Sequence, residues 1–321
     1  MAYCAKIENI ETYLPKNTIK ISELCIENGW DYKSIYEKTG IRKVHRIEPK
    51  QTTIDLAYRS SKKIVNKTNK ESIDAIICVT QSSDFLLPSM ACILQDKLKL
   101  KKNILAYDIN QGCSGYLYAL YLANEHISSG LYKKILIVCA DSYSKYFNKN
   151  NRSVSTIFSD GSASTLISRN QSKLFGKFLF GTDGSGQKDL FCKNPYFNKN
   201  FKSDLFMNGA SIFRFTTSEI PNHIRLNLKN NKYYSKDIKL FFFHQASKLV
   251  LNSLKNSLSI DSEKMFSNIK NIGNTISSSI PFALKEASKK NYLKKNSIIL
   301  LCGFGVGLSW GSCIYQWKPL K

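Results

Sequence analysis

Acidic residues are scarce in this chain: 24 Asp and Glu stand against 47 Lys and Arg, for a formal net charge of +23. Nucleic acid is the first partner that such an excess suggests. The lysines are nevertheless spread along the whole chain and interleaved with asparagine, with no basic arm and no aromatic-rich recognition motif. A compositional drift towards Lys, Asn and Ile accounts for most of the excess. Nucleic-acid binding is set aside, and an acidic protein partner is the better use for a basic face. Long apolar runs are missing too. The longest, at residues 135–140 and 298–302, fall far short of a bilayer span, so no membrane span is expected. The N-terminal Met1-Ala-Tyr-Cys-Ala-Lys-Ile-Glu lacks the charged-then-apolar order of a signal peptide, and a cytoplasmic location is expected. No pair among the nine cysteines has C-x-x-C spacing, and the four histidines are scattered. Neither a zinc site nor a disulfide framework is supported, and no metal is expected. An odd number of cysteines leaves a free thiol in any case.

What the chain does contain is 321 residues with 43% hydrophobic content, enough for one large domain or two fused ones. The run Ile104-Leu-Ala-Tyr-Asp-Ile-Asn110 turns through Gly112 into a helical pattern from Tyr116 to Ala123. Cys113 therefore falls where a buried strand passes into a helix start. Unpaired first-turn amides there carry partial positive charge and favour the thiolate, which is the nucleophile. A buried structural cysteine is the competing reading. Apolar strand runs at 73–80, 104–109 and 133–140 alternate with helical stretches at 53–65 and 88–98, and another strand covers 162–168. The second half repeats the order, with a strand at 238–243, helices at 248–258 and around 279–287, and strands at 297–302 and 309–317. Strand starts at 73 and 133 match those at 238 and 297, each pair about 60 residues apart, so the chain reads as a duplicated α/β unit. Near-continuous apolar strands between helices imply sheets covered on both faces. In that superposition the helix after Cys113 and the helix after Asn274 occupy equivalent central places.

Three polar groups then converge from strand and helix ends: Cys113, His244 and Asn274. Cysteine with histidine is the ordinary nucleophilic pair. Asparagine moves no protons, but its amide donates to a developing oxyanion. Each has a structural alternative. His244 follows four apolar residues and reads equally as a satisfied core histidine, Asn274 as a helix cap, and Gly303-Phe-Gly-Val-Gly307 as a connecting turn.

The chain resembles the β-ketoacyl-acyl carrier protein synthase III family of the thiolase superfamily over nearly its whole length. The resemblance rests on Thr39-Gly-Ile-Arg42, the stretch from Asp108 to Gly115, Phe158-Ser-Asp-Gly-Ser-Ala163 and Met207-Asn-Gly209 with Ile212-Phe213. It continues through His244-Gln-Ala246, Asn271-Ile-Gly-Asn-Thr275 and the glycines from Gly303 to Gly311. It implies a thiolase-like α/β fold of two duplicated halves, residues 1–170 and 171–321, in a layered α-β-α-β-α core, and a homodimer. It further implies that Cys113 takes an acyl group, and that His244 and Asn274 then stabilise the enolate as a malonyl thioester on acyl carrier protein loses carbon dioxide. The oxyanion hole would be the backbone amides of Cys113 and of Val306 or Gly307. Lys38, Arg152, Asn208, Gly209 and Lys248 are the substrate- or carrier-binding candidates, and Phe85, Leu86 and Leu87 the acyl-pocket lining. No cofactor would be bound permanently; the substrates would be thioesters of acyl carrier protein phosphopantetheine or of coenzyme A.

Departures matter as well. Members that take a coenzyme A primer usually carry an aromatic residue where Ser34 stands, an arginine at Lys38, and another at Leu249. The adenine clamp is weakened while the basic rim survives, which favours a carrier-protein donor and a specialised lipid or secondary-metabolite pathway. A thiolase would need a second cysteine at Gly303; Cys302 is offset by one residue and faces the other way on a strand. A hydroxymethylglutaryl-CoA synthase would need a glutamate near Val79-Thr-Gln-Ser-Ser83, where none stands. A non-decarboxylating acyltransferase of the same fold and an inactive carrier-binding subunit are the remaining alternatives.

Overall fold

The computed structural model describes residues 3–194 and 204–321. The first half runs β1 (Cys4–Tyr13), β2 (Thr18–Lys20), α1 (Ile21–Asn28), α2 (Tyr32–Thr39), β3 (Lys43–His45), α3 (Thr53–Val65), β4 (Ala75–Val79), α4 (Met90–Lys97), β5 (Leu105–Ile109), α5 (Gly115–Ser128), β6 (Lys134–Asp141), α6 (Arg152–Ser155) and β7 (Gly161–Asn170). The second runs β8 (Leu179–Thr182), β9 (Leu190–Cys192), β10 (Leu205–Met207), α7 (Gly209–Asn231), β11 (Leu240–Phe243), α8 (Lys248–Ser257), α9 (Ile269–Ile272), α10 (Ser279–Lys289), β12 (Ile298–Gly305) and β13 (Ser309–Gln316).

Two sheets carry the duplication. The first has the order β1-β7-β6-β4-β5 and the second β8-β13-β12-β11. In both, a parallel pair (β4 with β6, β11 with β12) continues into antiparallel neighbours. Strand β5 has only a remnant as counterpart, a single parallel bridge from Phe241 to Met265.

The parallel strands β4, β6, β11 and β12 are almost wholly apolar because each sheet is covered twice. Successive side chains on a strand point to opposite faces. On β6, Ile135, Ile137 and Cys139 enter the central core, while Leu136, Val138 and Ala140 pack outward beneath α3 and α4. On β12, Ile299 and Leu301 face the centre, and Leu300, Cys302 and Phe304 face α7 and α8. Helices α5 and α10 lie between the sheets and are buried all along their inner faces. The result is five layers, α-β-α-β-α. Four of the strand cysteines, Cys78, Cys139, Cys302 and Cys313, act as small buried hydrophobes.

Helix α3 starts at a capping box, Thr52 with Asp55, which satisfies two of its otherwise unpaired amides. Pro88 lies two residues ahead of α4, whose cap is the Ser89 side chain on the Cys92 N–H. The long α7, with Pro221 inside it, had no counterpart in the sequence reading. Among the described residues no helix is long and apolar enough to cross a membrane, and no cluster of His, Cys, Asp and Glu is placed to hold a metal.

Candidate active site

Cys113 sits in the tight turn between β5 and α5 and is 4% exposed. The glycines of β12 explain how it fits. A Cβ on Gly303 would lie 2.6 Å from the Cys113 carbonyl oxygen, and one on Gly305 would lie 2.9 Å from the sulfur. The glycine-rich segment is thus more than a connecting turn: it lets a strand of the second half press against Cys113 in the first. The two halves are also tied by Ser114 Oγ and Ser309 Oγ at 2.7 Å, and by Ser277, whose hydroxyl donates to the buried Asp141 at 2.6 Å.

The ionisation of Cys113 departs from the sequence expectation. Burial pushes the thiol up to about 12, and the nearby Asp141 adds to this. The backbone N–H groups of Val306 and Cys113 pull the other way without prevailing. Desolvation costs more than a helix start returns. These same two amides point at the sulfur, the place from which an oxyanion of a bound thioester would be held.

His244 follows β11, its N–H donating to Cys302 C=O at 2.8 Å. Its Nδ1 lies 2.7 Å from Ser279 Oγ at the start of α10, and its ring stands edge-on to Phe304. When the serine hydroxyl donates to Nδ1, the ring proton sits on Nε2. Burial pushes the imidazole down to about 3, so it is neutral at physiological pH.

Asn274 is anchored by its backbone: its N–H donates to Ile157 C=O, and its C=O accepts from the Ser159 N–H. Its Oδ1 accepts the Ile276 N–H at 2.9 Å, a local cap that orients the amide. The opposite face, Nδ2, is left 3.3 Å from His244 Nε2. Capping and catalytic readings therefore coexist. Gly273 just before it adopts φ +77°, and a Cβ there would lie 2.9 Å from Ser159 Cβ.

Cys113, His244 and Asn274 line one cavity of about 100 Å³, otherwise walled mainly by Phe158, Leu190, Ile212 and Phe304. It continues outward into a cleft of about 550 Å³ whose lining includes Ser34, Lys38, Arg152, Gly209 and Leu249. Of the remaining candidates, Asn208 caps α7 through the Ser211 N–H, and Lys248 is exposed at the start of α8 against Gly40. Gly307 lines a separate cavity with Val306. Phe85, Leu86 and Leu87 are exposed and do not line the Cys113 cavity within this chain. Sequence reasoning missed Ser279, the last serine in a run of three, and Asp141, whose role depends on a partner from the other half.

Residues 107–184 match the family model described as 3-Oxoacyl-[acyl-carrier-protein (ACP)] synthase III, and residues 228–317 match its C-terminal model. The beta-ketoacyl-[acyl-carrier-protein] synthase III of Clostridium novyi is 33% identical over 98% of this chain and 100% of its own length. That of Clostridium perfringens is 35% identical over 97% and 99%. The chain belongs to the 3-oxoacyl-[acyl-carrier-protein] synthase III family. The crystal structure of the family member from Aquifex aeolicus superimposes with a TM-score of 0.91 at 30% identity, covering 98% of this chain and 100% of that one. The protein is thus a thiolase-fold condensing enzyme that transfers acyl groups; neither the plain acyltransferase nor the inactive-subunit alternative is favoured.

Proposed function

We propose that Cys113, His244 and Asn274 carry a two-stage decarboxylative Claisen condensation. The observation behind this is their shared, buried cavity with two backbone N–H groups on the sulfur. In the first stage the sulfur attacks the carbonyl carbon of an acyl thioester, and its proton leaves with the departing donor thiol. The oxyanion rests on the amides of Cys113 and Val306, the donor thiol leaves, and the acyl group stays on Cys113. In the second stage a malonyl thioester on acyl carrier protein enters the cleft. Its thioester carbonyl accepts from His244 Nε2–H and Asn274 Nδ2–H, so the electron pair released with carbon dioxide is held as an enolate. The enolate carbon attacks the acyl carbonyl, the Cys113 sulfur departs with the bonding pair and regains a proton, and a β-ketoacyl thioester is released. Preorganised donors in such a site are worth roughly 3–4 kcal/mol each in barrier. Mass of the acyl adduct on Cys113, measured alongside carbon dioxide release from malonyl-carrier protein, tests the scheme. Both are expected; an adduct that passes to an alcohol or amine without carbon dioxide release would replace it with simple acyl transfer.

The rim supports acyl carrier protein as donor in preference to coenzyme A. Ser34 offers no ring to stack on an adenine, and Leu249 no charge for its phosphates, while Lys38 and Arg152 remain. Faster loading from acyl-CoA than from acyl-carrier protein would refute this. The altered rim also favours a specialised pathway, and a cytoplasmic enzyme without a permanent cofactor suits these substrates. A homodimer is supported by the free outer edge of β5 and the exposed Phe85, Leu86 and Leu87 just before α4; we take the two halves to divide between residues 170 and 171.

A further inference from the structure

A second cavity of about 320 Å³ adjoins the catalytic cavity and has no lining residue in common with the entry cleft. It shares Leu190 with the catalytic cavity and is walled by Val306, whose N–H lies on the Cys113 sulfur. Tyr143 and Leu205 belong both to its lining and to the cluster of side chains packed around Cys113. A thioester bound at Cys113 with its carrier arm in the entry cleft must send its acyl group the other way, and this is the space available there.

The lining is not that of a hydrocarbon slot. Tyr143, only 5% exposed, donates from Oη to Gln81 Oε1 at 2.7 Å. Gln81 Nε2 donates in turn to Asn110 Oδ1 at 3.0 Å, and Gln187 and Tyr146 complete a polar side. The Gln81 carboxamide lies against Gly112, the residue before the nucleophile, so closely that a Cβ there would overlap Oε1. Hydrogen-bonding capacity is left over: a lone pair on Tyr143 Oη and the second N–H of Gln81. At about 30 Å³ per non-hydrogen atom, the share of a water in the liquid, the cavity holds roughly ten such atoms.

We propose that this cavity receives the acyl group and that Gln81 and Tyr143 select a short acyl chain bearing a hydroxyl or oxo oxygen over its all-carbon counterpart. An oxygen near the third carbon would meet the Gln81–Tyr143 pair, whereas a methyl group in its place would cover their free donor and acceptor without replacing water. Asn110 follows directly on β5, so a second copy paired along that edge would close the open end and keep water out. The inference rests on the condensing-enzyme reading and deepens it.

The test compares 3-hydroxybutyryl and 3-methylbutyryl thioesters of N-acetylcysteamine, which differ only by hydroxyl for methyl and bypass the question of the natural carrier. Initial rates of adduct formation on Cys113 are followed by intact mass. The wild-type protein is expected to load the hydroxyacyl group about tenfold faster, the effect of one or two neutral hydrogen bonds. Tyr143→Phe and Gln81→Leu, each of similar volume, are expected to erase that preference, bringing the ratio of hydroxyacyl to 3-methylbutyryl loading rates down to about one. A wild-type preference for the methyl compound, or a hydroxyl preference that survives both substitutions, overturns the proposal. Failure of every thioester to acylate Cys113 would instead count against the condensing-enzyme reading itself.

Discussion

Cys113 is pulled in opposite directions by its place in the chain and its place in the fold. A helix start stabilises an anion by up to about 2 kcal/mol, whereas burial without a paired cation costs more, and the thiol ends near 12. Cys113 is therefore held as a neutral thiol, and in the proposed reaction it gives up its proton only when a thioester accepts the charge. Iodoacetamide at about pH 7.5 should alkylate the exposed Cys92 and Cys192 well before Cys113, as peptide mapping would report; Cys113 reacting first would show that the anion is already formed. His244 carries a related consequence. Burial depresses its protonation to about 3, so the ring stays neutral as pH falls from 8 to 5, and the condensation step should show no histidine titration in that window. An activity loss centred near the ordinary histidine value would contradict this. Substituting His244→Ala or Asn274→Ala should cut condensation by roughly 10²–10³-fold while leaving an acyl adduct on Cys113, since one donor to the enolate is lost. The meeting of Cys113, His244 and Asn274 in one cavity was legible in the sequence because each follows a recognisable strand or turn. Ser279 was not, because nothing local marks which of Ser277, Ser278 and Ser279 faces the imidazole.

At the level of elements, the second half shapes the turn that carries Cys113 through β12. Gly303 and Gly305 look like parts of a flexible loop in the sequence, yet both belong to a buried strand paired with β13. Their requirement is steric and comes from a segment nearly 200 residues away, which no local pattern records. Gly305→Ala should therefore abolish acylation of Cys113 and destabilise the fold by about 1–3 kcal/mol, the usual cost of overpacking a core. Thermal unfolding and intact mass check the two effects separately; a variant that still loads at the wild-type rate would mean that β12 can retreat. Helix α7 teaches the opposite lesson. Its apolar positions Phe215, Ile220, Ile224 and Leu228 have helical spacing, but Thr216-Thr-Ser218 and Pro221 interrupt the local signal. Packing on β12 and β13 forms the helix across weak propensity.

At the scale of the whole molecule, the duplication was readable because both faces of each sheet are buried, leaving uninterrupted apolar strands at repeated spacing. The five-layer arrangement was not readable from periodicity, since a continuous apolar strand does not say which helices cover it; the family resemblance supplied that. Charge is the other global property. A net +23 spread over the surface sets up a positive field, and Lys38 and Arg152 stand exposed at the cleft with Lys248 and Lys255 on the adjoining α8. An acidic carrier protein approaching that field is steered, and steering is lost as salt shortens the screening length from about 30 Å at 0.01 M to about 8 Å at physiological strength. Screening acts on the encounter and not on the chemistry, which lies behind the cleft at buried side chains. Raising salt from about 0.01 to 0.5 M should therefore lower kcat/KM for an acyl-carrier protein roughly tenfold, through the association rate, while loading from an uncharged N-acetylcysteamine thioester changes less than about twofold. Parallel salt responses from the two donors would mean that the positive field plays no part in capturing the carrier, and that the excess of lysine is compositional alone.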